Sequence, residues 1–203
     1  MGPDSISGYL TCEHIIHDST FWLEEFDGEN ATAYFKKNPV DSATTLVDSV
    51  SINGFEMEVD GDNLGYLTGN ENLSLDASAI WHVVGNSYIP SFTYNHSVSY
   101  PTITAILPDT IDKTTGLTFN INITGADSFA ISIPDSLGMY VSKIFSATST
   151  SQSFSSSELA SLKAGAVNAE YSIEAVKSTP ATFGGKKFLF TKITQRIHWA
   201  WIK

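Results

Sequence analysis

The chain has 203 residues, a formal net charge of −11 and charged side chains at 16% of positions, against roughly 25% in an average soluble domain. Its single arginine, Arg196, leaves an acidic chain without the cationic surface that releases counterions from a phosphate backbone, which excludes nucleic-acid binding. Cys12 is the only cysteine, which rules out an intramolecular disulfide, and no apolar run approaches the ~20 residues of a membrane-spanning helix.

Residues 8–27 read as GYLTCEHIIH, a strand, and STFWLEEF, a second strand or one helical turn capped by Ser19 or Thr20. ATAYFKK (31–37) reads as a strand, and TTLVDSVSI rises to Asn53-Gly54. That dipeptide signals a hairpin, because a type I′ turn needs φ > 0 at both central residues. FEMEV returns with Phe55, Met57 and Val59 on one face, and NLSLD and AIWHVVG follow as strands. Phe92, Tyr94, His96, Val98 and Tyr100 alternate with polar residues until Pro101 removes a backbone donor. Charge changes at the same point. Residues 1–100 carry fifteen acidic and two basic side chains, and residues 101–203 carry seven and nine. This marks a boundary between two domains, 1–98 and 99–203, the second able to fold alone.

Beyond it, TITAIL, LTFNINIT, SFAISI and YVSKIFSA read as strands separated by turn residues. SSSELASLKAG is the one helix-like segment, with a capping box from Ser155 to Glu158 and Gly165 as its C-terminal cap. VNAEYSIEAV and, after Gly184-Gly185, KKFLFTKITQRIHWAWI complete the set. Strands at ~8–12-residue spacing with a single helical turn give an all-β chain of two tandem β-sandwich-like domains, the second immunoglobulin-like.

The SSELASLKAG turn, the Tyr171 strand and GGKKFLF before the last strand carry a resemblance. Residues 101–203 resemble the disulfide-free Ig-like domains of secreted and lipid-anchored surface proteins of Bacteroidetes-type bacteria. SVSINGF and IWHVVG…IPSF are similar in style to the N-terminal β domains of such proteins. The resemblance implies an extracytoplasmic, non-enzymatic binding or structural module whose partner is a protein or glycan at the cell surface. It carries over no functional residues. Met1 opens into polar sequence without the basic and apolar regions of a secretion signal, so either the protein is cytoplasmic or, as the resemblance implies, a signal or lipid anchor lies upstream.

DGDNLGYLTGNE (60–71) places Asp60, Asp62, Gly65 and Glu71 at positions 1, 3, 6 and 12 of a calcium-loop template. Leu64 fails position 5 and the flank reads as strand, so calcium is the one cofactor in view and a polar turn is the competing account. Cys12, His14 and His17 resemble a metal or nucleophile cluster, but on a strand His14 and His17 point to opposite faces. Trp199 and Trp201, two apart, share a face with Ile193 and Ile197. They either stack sugar rings or cover the core. Arg196, His198 and Ala200 on the other face read as solvent-exposed, which favours the core and leaves carbohydrate binding as the alternative. No nucleophile elbow, phosphate loop or dinucleotide fingerprint occurs, which points away from an enzyme.

Overall fold

A computed structural model describes residues 6–18, 28–40, 43–61, 65–68, 73–135, 137–149, 151–165 and 169–203, with backbone alone at 169 and 170. In chain order the strands are β1 (Ile6–His17), β2 (Gly28–Phe35), β3 (Ser49–Ile52), β4 (Phe55–Glu56), β5 (Glu58–Asp60), β6 (Gly65–Thr68), β7 (Ala79–Val84) and β8 (Phe92–His96). There follow β9 (Thr102–Ala105), β10 (Thr110–Ile111), β11 (Leu117–Thr124), β12 (Ser128–Pro134), β13 (Tyr140–Ser146) and β14 (Ser151–Phe154). A single helical turn, α1 (Ser156–Leu159), precedes β15 (Ala169–Phe183) and β16 (Lys186–Ile202). The chain is all-β and sandwich-like.

It forms two compact units, and neither is a continuous stretch. The first gathers Met1–His14, Gly28–Tyr100 and Ser178–Ile193; the second gathers Ile15–Asp27, Pro101–Lys177 and Thr194–Lys203. A single cut at 98/99 is therefore replaced by a division that three long strands, β1, β15 and β16, each cross. The reason is geometric. A strand's alternation has no marker that separates side chains of one core from those of the next. Gly184 and Gly185, both at positive φ, close a tight turn at the tip of the β15–β16 hairpin, so residues 178–193 serve the first unit although their chain neighbours serve the second.

In the first unit, the sheet β4-β3-β7-β8 and the strand run β15-β16-β1-β2-β6-β5 contribute to one core. Trp81, Val83, Val50 and Ile52 come from the first, and Leu10, Phe35, Phe188 and Phe190 from the second, all fully buried. Phe92 stacks on Phe183 with ring centres 4.4 Å apart. The Asn53-Gly54 turn forms as read, with φ of 47° and 85° and Ile52 paired to Phe55. Asn53 does more than turn the chain: its amide donates to the carbonyls of Ser74 and Ser78, and its Oδ1 accepts from the Ile80 N–H. FEMEV, read as one strand, divides into β4 and β5 around Met57, which is buried and donates its N–H to Val50 O. Val59 consequently faces solvent rather than sharing Met57's face.

In the second unit, the sheet β14-β11-β9 and the run β13-β12-β15-β16 build the other core, and β10 adds to β16 in parallel. Phe119, Ile121 and Ile123 from β11 meet Phe129, Ile131 and Ile133 from β12, with Tyr171 and Ile173 from β15. The capping box at Ser155 and Glu158 is present, but the helix ends at Leu159. Gly165 is thus not its C-terminal cap; its N–H donates instead to Ile202 O at 2.8 Å.

His96 is 1% exposed in the first core, with its ring 6.2 Å from Tyr94 and 6.0 Å from Phe190. Neither ring nitrogen has a hydrogen-bond partner among the described residues. Burial first, and the Lys192 ammonium second, push its pKa down to about 4. The folded state therefore binds fewer protons than the unfolded chain between pH 6.5 and 4, and stability falls as pH drops through that window. Denaturant titrations at pH 7 and 4.5 should show the parent losing about 2–3 kcal/mol more than His96→Leu. Equal losses would mean that His96 is protonated without penalty.

A second test concerns the division of the chain. A truncated chain of residues 101–203 leaves Phe183, Phe188 and Phe190 without their packing partners in the first core. It is expected to bind a hydrophobic dye and aggregate. Replacing residues 178–193 in it by an Asn-Gly turn should reduce dye binding and aggregation, although Arg196 still lacks its Asp18 partner. A cooperative melt from the plain truncation, without dye binding, would show that the hairpin tip is dispensable.

Candidate functional site

The last strand reverses the sequence expectation for Trp199 and Trp201. Ala200 and Ile202 are the residues in the second core, at 5% and 0% exposure. Trp201 is 45% exposed and Trp199 half-buried, on the opposite face. The cause is that Arg196 and His198, read as solvent-facing, are held inward by specific partners. Arg196 Nε lies 2.7 and 2.6 Å from the two carboxylate oxygens of Asp18 and has hydrogen-bond geometry to Oδ1. Its Nη1 donates to Ala105 O at 3.1 Å. His198 Nε2 lies 2.8 Å from Asp109 Oδ1, and its ring packs 5.4 Å from that of Tyr171. Burial pushes the Tyr171 phenol well above the usual range, with Asp109 and Asp18 adding to the effect. It therefore stays protonated and donates to Pro108 O.

The backbone around the indoles is fixed on both sides. Trp201 N–H donates to Asp109 O, Lys203 N–H to Ile111 O, and Gly165 N–H to Ile202 O. Thr110 and Ile111 pair with Trp201 and Ile202 in a parallel register. The Trp201 indole is thus carried on hydrogen-bonded strand rather than on a loop.

The register of β12, β13 and β15 defines the rest of that face. Phe129, Ile131 and Ile133 point into the core, so Ala130, Ser132 and Pro134 point out. Paired with them on the same face are Ile144, Ser142 and Tyr140 of β13, and Glu174 and Ser172 of β15. Ile144 and Tyr140 are 79% and 71% exposed. Ser132 and Ser142 hydroxyls hydrogen-bond at 2.9 Å. Neighbouring strands run antiparallel from β13 through β12 to β15, so Tyr140 lies toward the end of the face where β15 begins. The Gly184-Gly185 hairpin returns β16 to that end, so Tyr140 and Trp201 lie on the outer face of one sheet with β12 and β15 between their strands. The result is a broad surface with aromatic groups at its margins and hydroxyls between them. Sequence alternation could place Tyr140 and Ile144 on one face of their strand, but only the strand order brings that face beside the tryptophans.

The calcium-template residues divide. Asp60 closes the β5–β6 hairpin opposite Gly65, so positions 1 and 6 of the template are paired across a ladder. Asp62 and Glu71 lie outside the described residues. Cys12 is fully buried, and burial pushes its thiol up to about 12, which leaves it protonated and unreactive at neutral pH. His14 belongs to a set of metal-capable groups that converge among the described residues, not with Cys12 or His17 but with Glu29 and Asp76. An open groove in the second unit, lined by Thr104, Ala105, Ile106, Asn120, Ile121 and Asn122, presents only hydroxyl, amide and apolar groups.

No protein-family model matches the chain, and no curated protein matches it. Among the described residues no helix is long and apolar enough to cross a membrane.

Proposed function

We propose that this chain is a non-enzymatic binding module of a bacterial surface protein, located outside the cytoplasm, and that its binding surface is the outer face of β13-β12-β15-β16. The observation that carries it is the exposure of Trp201, Tyr140 and Ile144 on one face of a hydrogen-bonded sheet. Large exposed rings on an outward sheet face offer flat apolar surface to a partner. The extracytoplasmic location rests on the resemblance of the SSELASLKAG, Tyr171 and GGKKFLF segments to surface-protein domains. The Ig-like reading of the second unit is supported by its strand pairing. The first, second and fifth full strands of the unit, β9, β11 and β14, make one sheet, while the second sheet takes the remainder. That division, with connections crossing between sheets, is the Greek-key pattern of Ig-like sandwiches.

Of the two partner classes, a glycan fits this face better than a protein. Indole and phenol rings offer flat apolar surfaces to the C–H faces of sugars, and the Ser132, Ser142 and Ser172 hydroxyls with the Glu174 carboxylate offer partners for sugar hydroxyls.

Substitution of Trp201 tests the reading. In a polysaccharide array followed by affinity electrophoresis, the parent should retain at least one ligand, and Trp201→Ala and Tyr140→Ala should each weaken it ~10-fold or more, about 1.4 kcal/mol. Trp201→Ala should cost about 1–2 kcal/mol of stability, set by the half of the side chain that is covered, rather than the ~3–5 kcal/mol of a core tryptophan. Retained binding in both variants, or a stability loss in the core range, would overturn the proposal.

A further inference from the structure

We propose that the first unit binds a divalent transition-metal ion of the zinc class through His14, Glu29 and Asp76. The three residues come from two strands and a loop. Leu10 and Cys12 on β1 are fully buried, and His14 is the next residue on the same face. On the adjacent strand β2, Ala31, Ala33 and Phe35 are fully buried, and Glu29 is the next position outward on that face. Lys36 N–H donates to Ser7 O, and the Asn30 amide donates to Glu13 Oε2 at 3.2 Å. Both contacts fit an antiparallel register that puts Glu29 across from His14. The imidazole and the carboxylate therefore leave neighbouring strands side by side, at the lip of the core.

Asp76 is brought to them by contacts that do not use its carboxylate. The Leu75 N–H donates to Glu29 Oε2 at 2.5 Å, and the Lys192 ammonium donates to the carbonyls of Leu75 and Asp76 at 2.5 and 3.1 Å. The loop backbone is thereby tied to β2 and β16, and the Asp76 carboxylate, 72% exposed, lies beside the Glu29 carboxyl and the imidazole. His14 Nδ1 and Asp76 Oδ1 are 3.9 Å apart, and one ligand atom from each of the three residues lies within 4.8 Å of the others. Ligands at about 2.0–2.2 Å from a tetrahedral zinc ion are about 3.3–3.6 Å apart, so side-chain rotations that draw the ligand atoms together by up to about 1.5 Å close the set.

Surrounding groups favour a cation. The edge of the Tyr100 ring meets His14 at 5.5 Å, holding the imidazole plane, and the buried Tyr100 hydroxyl has no hydrogen-bond partner among the described residues. Two carboxylates against one ammonium, Lys192, leave a net negative charge that a divalent ion would reverse. One nitrogen and two oxygen donors choose among ions: imidazole suits zinc, cobalt and nickel, whereas calcium and magnesium want oxygen alone. Three protein ligands also leave a position open to solvent or a ligand. This site is separate in residues from the 60–71 calcium template and from the binding face of the second unit.

The experiment uses the full chain freed of metal by chelator and dialysis, then titrated with Zn²⁺ and, for its visible absorption, Co²⁺. Calorimetry should give one ion per chain, Co²⁺ should show the intense bands of a low-coordinate site, and Zn²⁺ should raise the melting temperature by several degrees. Asp76→Asn and His14→Gln should each weaken Zn²⁺ binding ~10-fold or more and leave the metal-free melting temperature nearly unchanged. Glu29→Gln serves as a third variant read by affinity alone, since it also removes an acceptor of the Leu75 N–H. Absence of saturable binding would overturn the proposal, as would binding that survives both Asp76→Asn and His14→Gln. Ca²⁺ binding as tight as Zn²⁺ would refute the nitrogen-containing ligand set.

Discussion

The register of β16 is the constraint on which both cores depend. Over seventeen residues its even-numbered side chains include Phe188 and Phe190 in the first core and Ala200 and Ile202 in the second. Between them in sequence stand Lys192, Thr194, Arg196 and His198, polar groups on the same face as the core residues. Each is held by a named partner: Lys192 by two carbonyls, Thr194 by Pro101 O at 2.6 Å, Arg196 by Asp18 and His198 by Asp109. Lys192 is fully buried with its ammonium 4.7 Å over the Tyr100 ring, and burial lowers its pKa. A buried cation is tolerated only when its donors are used, and removing its partners leaves a charge that costs several kcal/mol. A slip of one residue would turn every side chain of the strand to the other face. It would strand Asp18 and Asp109 without their cation and ring, and drive two indoles into a core built for alanine and isoleucine. The polar middle of the strand therefore specifies its register more sharply than the apolar ends do.

That same feature explains what the sequence conveyed and what it hid. Local chemistry was legible: Asn53-Gly54 turns the chain because two consecutive positive φ values suit that pair, and Ser155 with Glu158 caps a helix because both groups lie within four residues. Strand alternation was legible too, as in LTFNINIT and SFAISI. The orientation of the last strand was not, because periodicity gives two faces without saying which is inward, and hydrophobicity favoured the tryptophans. Arg196 and His198 face inward because of Asp18 and Asp109, partners 178 and 89 residues away. Division of the chain into contiguous halves failed for a related reason. The charge change near residue 100 is real, but the β15–β16 hairpin carries residues of one pattern into two cores.

Trp199 and Trp201 were in view as a sugar platform, but how either candidate site is assembled was not legible, for the same physical reason. His14, Glu29 and Asp76 have no motif spacing, since they are joined through strand adjacency and a loop tied down by Lys192. Tyr140 and Trp201 share one sheet only through β12 and β15, which lie between their strands. In contrast, the pattern that did have template spacing, residues 60–71, contains Asp60 and Gly65 paired across a hairpin. Linear spacing reports function where a helix or a tight loop gathers the ligands. In an all-β chain the gathering is done across strands.

The two candidate sites are therefore coupled through β16 even though they share no residue. The register that turns Trp201 outward also turns Lys192 inward, where its ammonium holds the Leu75 and Asp76 carbonyls. Were Lys192 to face solvent, Asp76 would lose the anchor that positions its loop beside Glu29 and His14, and the indoles would leave the outer face in the same step. A binding face made of separately modest contacts and a three-ligand metal set usually place independent demands on a fold. Here one strand's alternation satisfies both, so substitutions that weaken the polar middle of β16 should affect the two surfaces together, whereas substitutions at Tyr140 or Asp76 should affect only one.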